Sequence, residues 1–196
     1  MKNIVLASAS PRRAELLHRI GLDFRVLTSS VDEREIREKD PARRAECLAL
    51  AKAKNVASAL QGTPAVIIGA DTIVCVDGEI LGKPADSREA ARMLRLLSGR
   101  SHQVMTGVAV VRQPDGSVLS CVETTTVYMR HLSDREIDWY VKSGEAFDKA
   151  GGYGIQGRAA VFIERVEGCY FNVVGLPLAA LWQLLKKLGG LLPEEA

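Results

Sequence analysis

Residues 65–76 read Ala-Val-Ile-Ile-Gly-Ala-Asp-Thr-Ile-Val-Cys-Val, and this stretch decides the fold class. It is rich in β-branched and small apolar residues, as a buried central strand is. It is also well short of the ~20 apolar residues that a helix needs to span a bilayer. Gly69-Ala70-Asp71-Thr72 reads as an interruption of the strand, with Gly69 and Ala70 leaving room for a ligand to approach the backbone. Asp71 is the anomaly. A carboxylate in an apolar strand is costly unless it is paired or bound to a metal, which makes Asp71 a candidate functional residue. Asp77-Gly78 then signals a turn into a short strand at 79–81.

Toward the N-terminus, residues 4–7 form a first apolar strand. Ser10 reads as the cap of a helix with Pro11 at its first position and Gly21 behind it. Residues 24–27 suggest a second strand, and 28–40 a charged surface loop. Asp40-Pro41 opens a helix rich in alanine and leucine that runs to about Leu60. Toward the C-terminus, Asp86 or Ser87 caps a third helix, Asp86 and Glu89 fitting a capping box, and Gly99 ends it. Residues 104–112 and 118–129 flank the turn Pro114-Asp115-Gly116 as a long hairpin. Ser133 and Glu136 form a second capping box, opening a helix through Val141. A glycine-rich loop, a strand over 159–166 and a last helix over 178–188 complete a single domain spanning 1–190. The tail 191–196 reads as frayed. Strands alternating with helices early and a hairpin late predict a mixed α/β sheet.

Composition narrows the function. The 196 residues carry 26 basic and 24 acidic side chains, a net charge of +2, which gives no reason to expect nucleic acid or an acidic membrane as partner. Aromatics make up 5%, too few for a base-stacking platform. Four scattered cysteines make no C-x-x-C pair, and three lie in apolar contexts, so they read as reduced core thiols. The histidines His18, His102 and His131 make no zinc-type cluster. No signal peptide is visible, and a cytoplasmic location is the expectation.

Several polar residues carry chemistry of their own. In Ser8-Ala9-Ser10-Pro11-Arg12-Arg13, two arginines sit on the first turn of a helix, against the direction of its dipole. That placement makes sense if an anion is bound at the helix start, where the backbone N–H groups are free. Glu33 belongs to the charge run 31–35, which on its own a solvated loop explains. Lys52 on the second helix and Lys83 in Gly82-Lys83-Pro84 are cations, but the P-loop pattern is absent and Pro84 replaces its hydroxyl residue. Gly152-Tyr153-Gly154-Ile155-Gln156-Gly157 matches G-x-G-x-x-G, yet it leads into a strand rather than a helix, so it reads as a close-approach loop. Gln156 offers both a donor and an acceptor, which suits the edge of uracil or thymine.

Taken in order, these segments resemble the Maf family of nucleotide pyrophosphatases. The matching stretches are LASASPRR (6–13), DE (32–33), ALAKAK (49–54), GADTIV (69–74), LGKP (81–84), SHQVMTGVAV (101–110), DKAGGYGIQG (148–157) and NVVGLP (172–177). The resemblance implies an ITPase-like α/β fold, a mixed elongated sheet flanked by helices with a cleft between two lobes. It implies hydrolysis of the α–β phosphoanhydride of a nucleoside triphosphate with a divalent cation, Mg²⁺ or Mn²⁺. Asp71 would be the proton acceptor, with Glu33, Lys52 and Lys83 in the same site, and Asp71 and Glu33 would hold the metal. Arg13 would help neutralise the triphosphate. Arg12, Thr72 and Gln156 look like the subgroup that prefers dTTP and UTP over 7-methyl-GTP. A homodimer is the family expectation. Alternatives are a nucleotide-binding regulator of septum formation and a house-cleaning hydrolase of modified nucleotides.

Overall fold

A computed structural model describes residues 3–189 of the chain; the expected tail at 191–196 lies outside the described residues. Seven strands make one mixed sheet. They are β1 (Ile4–Leu6), β2 (Phe24–Val26), β3 (Ala65–Val76), β4 (Glu79–Leu81), β5 (Ser101–Gln113), β6 (Val118–Met129) and β7 (Ile163–Glu167). The sheet order is β2-β1-β3-β5-β6-β7, with β4 paired to β3. β1 runs parallel to β2 and β3, whereas β4 is antiparallel to β3 and β7 to β6. The helices are α1 (Pro11–Arg19), α2 (Pro41–Ala59), α3 (Ser87–Leu97), α4 (Asp134–Lys142), α5 (Tyr170–Val174) and α6 (Leu178–Lys187). Among the described residues no helix is long and apolar enough to cross a membrane.

The chain divides into two compact units. One takes the chain up to Asp71, Thr106–Glu123 and the chain from Gly175 onward; the other takes Thr72–Met105 and Thr124–Val174. The first has a core of Val5, Ala7, Ile67, Ala109 and Val111 with the α2 residues Ala49, Ala53 and Val56. The second has a core of Val74, Val76, Leu81, Met93, Leu94, Leu97, Tyr140 and Phe162 among others.

In the first unit the decisive packing is α2 on the sheet. Ala45, Ala49, Ala53 and Ala57 are buried, and their spacing of four places them along one helix face. They meet glycines. A Cβ at Gly69 would lie 2.9 Å from both the amide nitrogen and the Cβ of Ala53, and against the Ala49 carbonyl oxygen. A Cβ at Gly107 would strike the Ala45 carbonyl and the Glu46 amide nitrogen. The space at Gly69, read from sequence as room for a ligand, is therefore filled by the α2 backbone. β3 is likewise continuous across Gly69-Ala70-Asp71-Thr72 and not interrupted there, because the glycine accommodates a neighbour without breaking the ladder.

Local signals explain most boundaries. Asp40 caps α2 by accepting from the Arg43 N–H at 2.8 Å. Asp77 and Gly78 have φ of +49° and +83°, the pair of left-handed residues that a two-residue hairpin turn requires. Ser133 and Glu136 make the reciprocal capping box expected at α4. Asp86 caps α3 through the Glu89 N–H at 2.7 Å, but Glu89 reaches back to the Ala85 N–H at 2.7 Å, one residue beyond the expected box partner. Two segments differ further. The strand expected over 159–166 begins only at Ile163, after a 3-10 turn over Arg158–Phe162. α5 was not anticipated. Of the cysteines only Cys75 is buried; Cys121 and Cys169 are half-buried and Cys47 is exposed, all of them free thiols.

His102 on β5 is buried at 3% exposure, with Nε2 2.6 Å from the Tyr153 hydroxyl. Burial holds its pKa at about 4 against an ordinary 6.5.

Two predictions follow from this packing. Gly69→Ala forces a methyl into the α2 backbone and should lower stability by roughly 1–3 kcal/mol, or Tm by roughly 3–10 °C; an unchanged melting curve would contradict the close approach. His102 stays neutral in the fold and protonates first in the unfolded chain. Its contribution is therefore complete above pH 6.5 and is lost as pH falls toward 4. Chemical denaturation at pH 7 and pH 4.5 should show wild type losing on the order of 2–3 kcal/mol more than His102→Gln, whereas parallel losses would contradict a buried neutral ring.

Candidate active site

Alternation along β3 places Asp71 on the same face as Gly69, toward α2. Lys52 precedes Ala53, the residue that sits against Gly69, so the close packing of helix on strand delivers the lysine to the aspartate. Lys52 Nζ donates to Asp71 Oδ1 at 2.5 Å and to Glu33 Oε1 at 2.7 Å. One ammonium thus bridges two carboxylates of different exposure. The Asp71 side chain is 11% exposed and that of Glu33 57%, so the former is a buried charge and the latter faces solvent.

Glu33 opens a short 3-10 turn, Glu33–Glu35. Asp32 caps it by accepting from the Arg34 N–H at 3.0 Å and pairs with the Arg34 guanidinium at 2.9 and 3.0 Å. The approach to this turn is pinned to α2. Asn55 Oδ1 accepts from the Ser30 N–H at 3.0 Å and the Ser29 hydroxyl at 3.2 Å, and its Nδ2 donates to the Ser30 hydroxyl at 3.3 Å. Asn55 stands three residues after Lys52, on the same helix face. Sequence reading missed it, and its only signal is that spacing.

Arg13 supplies a second buried cation, 9% exposed. Its Nε donates to the Gly175 carbonyl at 2.8 Å and its Nη1 to Ser8 Oγ at 3.0 Å. Burial lowers its pKa, with Arg12 acting in the same direction, while the charges of Asp71 and Glu33 oppose that shift. A guanidinium remains ionised regardless. Asp71 is shifted upward. Burial is the leading cause and Glu33 adds to it, while the Lys52 and Arg13 charges and the Lys52 hydrogen bond pull the other way. The net result is a carboxylate more basic than an ordinary aspartate, held among cations.

Ser10 precedes α1 with Pro11 at the first position, but its side chain makes no capping hydrogen bond. Just before the helix, Ser8 Oγ accepts from the Ser10 N–H at 3.3 Å and from Arg13 Nη1 at 3.0 Å. Since it accepts both bonds, the Ser8 hydroxyl still has its own proton to donate.

Ser8, Arg12, Arg13, Glu33, Lys52 and Asp71 all belong to the first unit. Thr72, Lys83 and Gln156 belong to the second. Thr72 is half-buried on β3, Lys83 is exposed between β4 and α3, and Gln156 is exposed within the turn 154–157.

A family model described as Maf-like protein matches residues 3–188. A dTTP/UTP pyrophosphatase of Moorella thermoacetica is 53% identical over 189 residues, covering 96% of each chain. One of Symbiobacterium thermophilum is 52% identical over 189 residues, covering 96% of this chain and 95% of the relative. Among solved structures, a HAM1 protein from Coxiella burnetii is similar with 18% identity and a TM-score of 0.48, over 95% of this chain and 100% of that one. With a family match from residue 3 to residue 188 and relatives above half identity along nearly their whole lengths, the chain belongs to the Maf-like protein family.

Proposed function

We propose that the chain is a nucleoside triphosphate pyrophosphatase that hydrolyses dTTP and UTP to the nucleoside monophosphate and pyrophosphate. The observation that carries this reading is the Lys52 ammonium shared by a buried Asp71 and an exposed Glu33, 2.5 and 2.7 Å away. The names of the two relatives support the reaction and the choice of pyrimidine nucleotide.

The chemistry is attack of water on the α-phosphorus. An O–P bond forms, the α–β bridging bond breaks, and pyrophosphate leaves. Asp71 takes the proton of the attacking water, a task that its upward-shifted pKa suits. Lys52 and Arg13 are fixed before substrate arrives, so they meet the charge that develops on the phosphoryl oxygens without reorganising. Ser8 donates its hydroxyl proton to a phosphate oxygen at the start of α1.

The donor set fits a hard divalent cation. Asp71 and Glu33 offer carboxylate oxygens, and Mg²⁺ typically takes one or two carboxylates with the rest of its shell from substrate phosphates and water. Among the described residues no three His, Cys, Asp or Glu side chains gather to make a closed metal cage, which agrees with a cation carried in with the triphosphate. Mg²⁺ or Mn²⁺ held there would neutralise phosphate charge. Thr72 and Gln156, both of the second unit, select the base, with Gln156 offering its amide to the N–H and carbonyl of the pyrimidine edge. The reading takes the enzyme to be a cytoplasmic homodimer, two-fold symmetry being the commonest assembly.

Asp71→Asn should reduce pyrophosphate release from dTTP by at least about 100-fold, an effect of the size seen for loss of a general base, while far-UV circular dichroism and Tm stay near wild type. EDTA should abolish release from the wild type, and Mg²⁺ or Mn²⁺ should restore it. Near-normal turnover by Asp71→Asn would remove this residue from the mechanism. Gln156→Glu replaces a donor by a second acceptor and should lower kcat/KM for dTTP and UTP about tenfold or more, the effect of mispairing one hydrogen-bonded group; an unchanged preference across a panel of triphosphates would defeat the base-reading role.

A further inference from the structure

The segment from Lys149 to Arg158 contains no α-helix or strand, yet it is anchored along its length within its own unit. The Gly151 N–H donates to the Gly82 carbonyl at 3.0 Å, next to Lys83. The Gly157 N–H closes a turn on the Gly154 carbonyl at 3.0 Å, so Ile155 and Gln156 are its two central residues. The Arg158 N–H donates to Glu145 Oε2 at 2.9 Å, and that oxygen fills the space a Cβ at Gly157 would need. Between these anchors Gln156 is exposed.

One anchor differs in kind. Tyr153 is 5% exposed and His102 3%. The hydroxyl of the first lies 2.6 Å from Nε2 of the second, and the rings meet edge-on with centroids 5.3 Å apart. Either neutral tautomer of the imidazole sustains the bond, accepting from the hydroxyl or donating to it. His102 Nδ1 is buried and has no hydrogen-bond partner among the described residues. A buried polar pair with one nitrogen unsatisfied is a net cost to stability, and two apolar side chains of similar volume would fill the site at least as well. Packing alone therefore does not account for this pair. What it does provide is a directional tie between β5 and the residue three before Gln156.

We infer that His102 is a positioning residue for substrate selection: its hydrogen bond to Tyr153 fixes the 151–157 loop so that Gln156 and the Gly82–Lys83 segment are held in register. The inference rests on the reading of Gln156 as the base-reading residue. Tyr153 sets the entry to the turn, Glu145 sets its exit, and the Gly151–Gly82 bond passes the same placement to the backbone beside Lys83. Loosening the Tyr153 end leaves the approach to the turn held by the Gly151–Gly82 backbone bond alone, which weakens recognition of the base without touching Asp71, Lys52 or Glu33.

The test compares wild type with Tyr153→Phe and with the double variant His102→Leu/Tyr153→Phe. Amide hydrogen exchange, Tm and steady-state kinetics are measured with dTTP, UTP, dATP and dGTP. Tyr153→Phe leaves the imidazole wholly unpaired and should lower Tm, whereas the double variant removes both polar groups and should return Tm to near the wild-type value. In both, exchange at residues 151–157 should accelerate about tenfold while that of α1 and α2 is unchanged. KM for dTTP and UTP should rise about tenfold with kcat within about twofold, as for loss of one oriented hydrogen bond in ground-state binding, and preference over the purine triphosphates should narrow. Recovery of Tm in the double variant without recovery of KM separates positioning from a merely structural role. Unchanged exchange at 151–157 in both variants overturns the inference whatever the kinetics. Faster exchange with KM and preference unchanged supports His102 as the anchor of the loop and overturns instead the role given to Gln156.

Discussion

The backbone of α2 lies directly on the sheet because β3 and β5 present Gly69 and Gly107 where it crosses. Four alanines at intervals of four residues complete the contact from the helix side. Small residues on both surfaces let the α2 backbone approach the strands where a Cβ would otherwise stand, and the chemistry depends on that approach. Lys52 reaches Asp71 because its helix is close. The same helix carries Asn55, which ties down Ser29 and Ser30 and so places the turn that holds Glu33. One packing constraint therefore sets the positions of the three groups at the centre of the site.

The charges held there work against stability. Asp71 and Arg13 are both buried, and removing an ion from water costs several kcal/mol that a neighbouring opposite charge only partly offsets. The upward shift of Asp71 and the downward shift of Arg13, each led by burial, are the signature of that imbalance. Apolar substitutes would make a more stable strand and helix start. Their absence fits the proposed site, in which a triphosphate would supply the negative charge that the cations lack and a divalent cation would supply what the carboxylates lack.

The sequence discloses this arrangement unevenly, and the reasons are physical. Asp71 is legible because ionised side chains are rare in apolar strands. The capping box at Ser133 and Glu136 and the cap at Asp40 are legible because their hydrogen bonds lie within four residues of chain. Glu33 and Lys52 are not legible singly, since a charged loop and an exposed lysine look the same whether or not they converge, and only the ordered resemblance to a family brings them together. Gly69 is misread as ligand space because sequence does not say which backbone will occupy a missing Cβ. Ser10 is legible as the N-cap position because Pro11 follows it, but the missing side-chain cap bond is not, since sequence does not show which rotamer the serine takes. The start of β7 is missed because a 3-10 turn and a strand share the same apolar composition at 159–163. The His102–Tyr153 pair joins residues 51 positions apart, beyond the reach of local pattern.

The proposed function requires that water attack the α-phosphorus and that pyrophosphate be the leaving group. Phosphorus-31 NMR of the wild-type protein turning over dTTP with Mg²⁺ in water enriched in oxygen-18 tests it directly. The account predicts resonances of dTMP and pyrophosphate alone, with the isotope shift on the dTMP phosphorus and none on pyrophosphate. Formation of dTDP and orthophosphate, or isotope appearing in the pyrophosphate, would contradict it.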